Sequence, residues 1–193
     1  MNRMVKVGAA ALALTLAGCS IVYSPTPVGD ELVKLSPDDW NGTWVGDDAA
    51  VTIQVTNGDS GIVRLAWFDM FPSGRPVPRV SAGYVRRSGP WMFGSVPDED
   101  QPGRFVWGLL DKNGGRLLFW APDPDRFATL VEARKWPGTV GNTAPGDAPI
   151  DRRPSGDVML GRLGAKEWKA LMADERPTLF KWEEPGVLLR VGK

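Results

Sequence analysis

One cysteine, Cys19, no histidine, and two tight acidic clusters, Asp98-Glu99-Asp100 and Asp123-Pro124-Asp125, set what chemistry this chain can do. Without an imidazole there is no Ser-His-Asp triad and no Cys-His pair, and a zinc site would lack its usual ligands. Carboxylates alone can still act as the acid and nucleophile of a glycosidase, or bind calcium. Both clusters, however, lie among prolines and lack the spaced ligands and central glycine of a calcium loop, so they read as solvated turns. The expectation is a protein without catalytic residues, metal or cofactor, with a carboxylate-based glycan hydrolase as the remaining enzymatic alternative.

Cys19 ends the run Leu16-Ala17-Gly18-Cys19. Arg3 and Lys6 give a basic start, Val7 to Ala17 form an apolar stretch too short to span a bilayer, and small residues precede the cysteine, which is the layout of a secretory signal. A lone cysteine has no partner within the chain for a disulfide. The run resembles the lipobox of bacterial lipoproteins. That resemblance implies a thiol that receives a diacylglyceryl group, removal of residues 1–18, and anchoring by two or three acyl chains, where one chain would hold only marginally. In Gram-negative lipoproteins an Asp after the cysteine goes with inner-membrane retention; Ser20 stands there in this chain, implying an outer-membrane protein facing the periplasm.

Removal of residues 1–18 would leave 175 residues, enough for one domain with a sizeable core. The full chain carries 23 basic and 23 acidic residues, and losing Arg3 and Lys6 leaves 21 against 23, no electrostatic footprint for nucleic acid. The expected partners are the membrane, through the lipid, and an apolar small molecule or an envelope protein.

The elements around these residues are mostly short strands. Residues 19–36 hold Pro25, Pro27 and Gly29 with few large side chains and read as the lipidated cysteine and a tether, so a single domain is expected over 37–193. Val51, Ile53 and Val55 alternate with Thr52, Gln54 and Thr56, and Asn57-Gly58-Asp59-Ser60-Gly61 turns the chain into the apolar run 62–68. Asp111-Lys112-Asn113-Gly114-Gly115 turns a second hairpin. About eight strands follow, near 42–46, 50–56, 62–69, 79–88, 91–96, 104–110, 115–121 and 126–134. The fold class is mainly β, an antiparallel meander closed as a barrel or sandwich. Residues 137–157, rich in Pro and Gly, read as an irregular loop. Ala165, Trp168, Leu171 and Met172 share a helical face, predicting one C-terminal helix over 165–174, and 178–182 with 187–191 predict a terminal hairpin.

Nine tryptophans are spread about one per element, as expected when each strand gives a large residue to the core. Trp136, beside Pro137, is the one expected to be exposed. Phe105, Trp107 and Leu109 point to one face of their strand and Val106, Gly108 and Leu110 to the other, so neither face suits water. One face is expected to meet the main core and the other the Trp168 helix; alternatively one face contacts a partner or lines an apolar cavity, with Trp67, Trp107 and Trp120 as possible ligand-lining residues. Gly42-Thr43-Trp44 at the head of the first strand, followed by about eight strands, a helix and a final strand, resembles the lipocalins, whose first strand carries Gly-x-Trp and whose barrel holds an apolar ligand. The loop after Trp44 is shorter than in that family, and the Thr-Asp-Tyr motif is absent. The opening is also similar to those of other small envelope lipoproteins. Asn41-Gly42-Thr43 fits a glycosylation sequon but reads here as the turn that starts the strand.

Intact-mass analysis of membrane-extracted protein is expected to show a mature chain beginning at an acylated Cys19, with Cys19→Ala leaving the detergent phase. An unmodified thiol, or cleavage elsewhere, would contradict the lipobox reading.

Overall fold

Alternating apolar residues make strands that must bury one face, and the meander does so by closing on itself. The computed structural model describes residues 20–47, 49–70, 76–141, 156–162, 164, 168–169, 172–173 and 176–192. Cys19 lies outside the described residues. In chain order the elements are β1 (Val22–Ser24), β2 (Glu31–Leu32), a one-turn helix α1 (Pro37–Trp40), β3 (Gly42–Val45), β4 (Ala50–Asn57), β5 (Ile62–Met70), β6 (Pro76–Ser88), β7 (Trp91–Pro97), β8 (Phe105–Asn113) and β9 (Arg116–Trp120). Then come α2 (Pro124–Glu132), β10 (Gly138–Val140), β11 (Val158–Leu160), a short α3 (Arg176–Leu179) and β12 (Gly186–Val191).

Strands β3 to β9 pair in sequence order, each antiparallel to the next. β12 enters between the two free edges, with Leu188 opposite Leu117 on β9 and Arg190 opposite Trp44 on β3. The result is a closed eight-stranded antiparallel barrel. Closure removes the open edges that would otherwise template aggregation.

One expected strand is a helix instead. Residues 126–134 were predicted as the eighth strand, but Asp123 caps α2, its carboxylate accepting from the amides of Asp125 (3.0 Å) and Arg126 (3.3 Å), and Pro124 takes the first turn. Phe127, Ala128, Leu130 and Val131 then share the buried face. The Asp-Pro-Asp run that reads as a turn is a helix start. α2 ends with Arg134 in the left-handed region (φ 55°), while the amides of Lys135 and Trp136 return to the carbonyl of Leu130. That turn carries Trp136 back under the helix, so the indole expected to be exposed is buried.

The predicted tether is also part of the domain. Ile21, Val22, Tyr23, Val28 and Leu35 are buried. β1 pairs with the first residues of β8, and the amide of Val28 donates to Ser95 Oγ at 3.0 Å. Apolar residues spaced between the prolines let an extended strap lie along the barrel, which a count of small residues conceals. The expected loop 137–157 contributes β10, which pairs antiparallel with β11 just beyond it; residues 142–155 lie outside the described residues.

Of the predicted helix 165–174, Trp168, Lys169, Met172 and Ala173 are helical, with Trp168 and Met172 buried; Ala165 and Leu171 lie outside the described residues. The predicted terminal hairpin is corrected. Residues 176–179 are helical, Phe180 bridges to Pro122, and Leu179 and Phe180 enter the core, so β12 takes β9 and β3 as partners rather than 178–182.

Two cores share the barrel wall. Inside lie Leu35, Trp40, Trp44, Val51, Ile53, Val63, Val85 and Leu117. Outside, Phe93, Trp107 and Leu109 pack beneath Phe127, Leu130, Trp136, Trp168, Met172 and Phe180. Trp107 meets the rings of Phe127 (5.6 Å), Trp168 (5.7 Å) and Phe180 (6.1 Å) edge to face, a favoured arrangement of ring quadrupoles.

Urea denaturation should find Trp107→Ala less stable by roughly 3–5 kcal/mol, as for a fully buried aromatic. Asp123→Ala should lose only about 1 kcal/mol, the worth of a helix cap. A Trp107 cost as small as the cap's would show that the outer layer does not pack on the wall.

Candidate functional site

The inner wall is hollow because of where its glycines fall. Gly83 and Gly94 face a cavity of about 270 Å³ bordered by Ile53, Val63, Leu65, Trp67, Leu110, Phe119 and Leu188. A Cβ on Gly83 would lie 2.8 Å from Val63 Cγ2, and one on Gly94 would lie 2.9 Å from Leu110 Cδ1. At Gly108 the gap is smaller still, with a Cβ placed 2.2 Å from Phe119 Cε2. Large side chains thus lie flat over glycines of the neighbouring strand and leave the barrel axis open. Glycine inside a strand commonly marks such close approach.

The end beside α1 is closed. Trp44 is fully buried and donates from Nε1 to the carbonyl of Trp40 at 3.0 Å. Gly42, at φ +139°, leaves space for Arg190, which donates to the carbonyls of Asp38 (2.7 Å) and Asn41. Lys112 Nζ sits 5.5 Å above the Trp40 ring and 6.0 Å above Trp44. Asn41 Oδ1 accepts from the Val55 amide at 2.6 Å, so the sequon asparagine is a structural turn residue.

The opposite end is polar. Arg79 of β6 meets Glu99 of the β7–β8 loop at 3.2 Å, and Asp98 and Asp100 border the same mouth. Asp98 Oδ1 accepts from the amides of Asp100 (2.9 Å) and Gln101 (3.2 Å), which fixes the loop as a turn. At this mouth the carboxylate of Glu99 is paired with the guanidinium of Arg79 on the neighbouring strand. Tyr23 braces the loop from outside, with Arg104 stacked 5.4 Å from its ring. Burial first, then the charges of Asp98 and Asp157, push its phenol up to about 12.

Of the tryptophans proposed from sequence to line a ligand site, Trp67 borders the cavity. Trp107 forms part of the wall, with its indole turned to the outer core. Trp120 packs outside against Trp182 at 5.4 Å. The residues missed from sequence are the inward glycines and Arg79; the visible signal was glycine inside otherwise apolar strands. Among the described residues, no group of three or more His, Cys, Asp or Glu is placed to hold a metal ion, and no helix is long and apolar enough to cross a membrane. The chain matches no known family, no curated protein and no solved structure.

Two outcomes test this geometry. Gly108→Ala should destabilise far more than Gly94→Ala, because the first meets a ring and the Trp120 carbonyl while the second meets only the tip of Leu110. Equal costs in urea would contradict the packing described. For Tyr23, the unfolded phenol ionises near about 10, so its contribution is complete below that pH and is lost as pH rises toward about 12. Tyr23→Phe should flatten this part of the alkaline unfolding profile; an unchanged profile would place the ring in water.

Proposed function

We propose that the protein is a lipid-anchored envelope lipoprotein, non-enzymatic, whose barrel binds a small apolar or amphiphilic molecule. The observation that supports this best is the hollow itself. Its lining is aliphatic and aromatic, and it lies just below the ~300–1,000 Å³ common for ligand pockets. Apolar cavities of even ~150 Å³ accept benzene-sized guests, so this one has room for a short acyl chain or a ring pair. The polar groups stand at the mouth, so a tail would lie along Trp67 and Leu110 while a polar end meets Arg79 and Glu99. Membrane anchoring through Cys19 would place the barrel beside a supply of such molecules, in the outer membrane and facing the periplasm.

A second reading rests on a different surface. Val45, Val187, Leu189 and Val191 form an exposed apolar stripe on the outer face of β3 and β12. Such a stripe suits a protein partner in an envelope assembly.

Native mass spectrometry of protein extracted from its own membrane should show a retained small molecule, and decanol should quench tryptophan emission saturably. Leu65→Trp, which fills the hollow, should weaken decanol binding at least tenfold without loss of stability. A clean apo mass, with no saturable quenching, would contradict the proposal and favour the stripe.

A further inference from the structure

A second cleft, of about 380 Å³, lies on the outer side of the barrel, between the strap at 24–30, Arg86 of β6, and the covering layer with Trp136, Arg162 and Trp168. Its polar groups are unbalanced. Trp136 is 2% exposed, yet among the described residues its Nε1–H finds no acceptor, and the buried Nε–H of Arg86 finds none either. One hydroxyl lining the cleft, Ser24 Oγ, is already engaged with the backbone of Thr26, donating to its carbonyl at 2.6 Å and accepting from its amide at 3.4 Å. A buried donor without an acceptor costs roughly 1–3 kcal/mol, so two of them in one cleft call for acceptor atoms beyond those that the described residues supply. The charges agree: the cleft carries two guanidinium groups, Arg86 and Arg162, against one carboxylate, Asp30.

We propose that this cleft binds a phosphate-type oxyanion. Arg86 and Trp136 reach it from different elements, so their donors suit a tetrahedral group that accepts from several directions. Guanidinium is well matched to phosphate because its planar fork donates two parallel bonds. The source is a free phosphate compound or a phospholipid headgroup, and the chemistry of recognition is the same for both. The site is separate from the barrel hollow and does not depend on what that hollow holds.

The test uses the full chain in detergent. Inorganic phosphate and glycerol phosphate are titrated against chloride at equal ionic strength, reading melting temperature and calorimetric heat. Saturable stabilisation by phosphate should appear, with affinity lowered at least tenfold in Arg86→Gln and several-fold in Trp136→Phe, which keeps the ring but removes the donor. Should Arg86→Gln fail to fold, Trp136→Phe carries the comparison. Binding of phosphatidylglycerol vesicles with the same variant dependence, and little response to inorganic phosphate, would assign the site to a headgroup. No saturable effect of either probe, or identical responses in wild type and Trp136→Phe, would overturn the proposal and leave the cleft hydrated only.

Discussion

The packing of Trp107 on the outer face of β8 is the contact on which the remaining architecture depends. It burdens the fold with an indole N–H that finds no acceptor among the described residues, at roughly 1–3 kcal/mol. Burying a tryptophan removes about 150–250 Å² from water, worth about 4–6 kcal/mol, and the edge-to-face rings of Phe93, Phe127, Trp168 and Phe180 add to that. The aromatic term wins. It fixes the outer layer against the wall, and with it α2, the strap and the three short strands that extend the sheet from β8.

Because that outer layer supplies one core, the barrel does not have to fill its own interior to be stable. The inner core is concentrated at the closed end, where Trp40, Trp44 and Arg190 join α1 to β3 and β12. Toward the mouth, Gly83 and Gly94 let Val63 and Leu110 lie along the wall, and the axis stays open. The outer core and the hollow are thereby placed on opposite faces of the same strands. A strand apolar on both faces is the sequence record of this division.

Much of the barrel was legible in the chain. The period-2 runs at 51–56 and 62–68, the Asn57-Gly58 turn and the Asn113-Gly114-Gly115 turn dictate local pairings, and Gly42-Thr43-Trp44 marks where the barrel begins. What was not legible depended on tertiary contacts or on caps. Residues 126–134 have the apolar content of a strand and become a helix because Asp123 and Pro124 start one. Residues 20–35 resemble a linker in composition, yet they bury five apolar side chains whose partners are distant in sequence. The hollow was anticipated only as one of three uses for the second face of such a strand, beside the Trp168 helix and a partner, since nothing local says whether Leu110 projects into the axis or lies over Gly94. The meeting of Arg79 with Glu99 is likewise set by the register of β6 and by the turn that Asp98 holds.

The two-sided wall is tested most directly by fluorine NMR of protein carrying 5-fluorotryptophan, with each of the nine resonances assigned by substitution, during titration with decanol. The account predicts that the Trp67 signal moves saturably while those of Trp107, Trp136 and Trp168 stay in place. Movement of the Trp107 group with Trp67 unchanged, or no saturable movement of any signal, would contradict it.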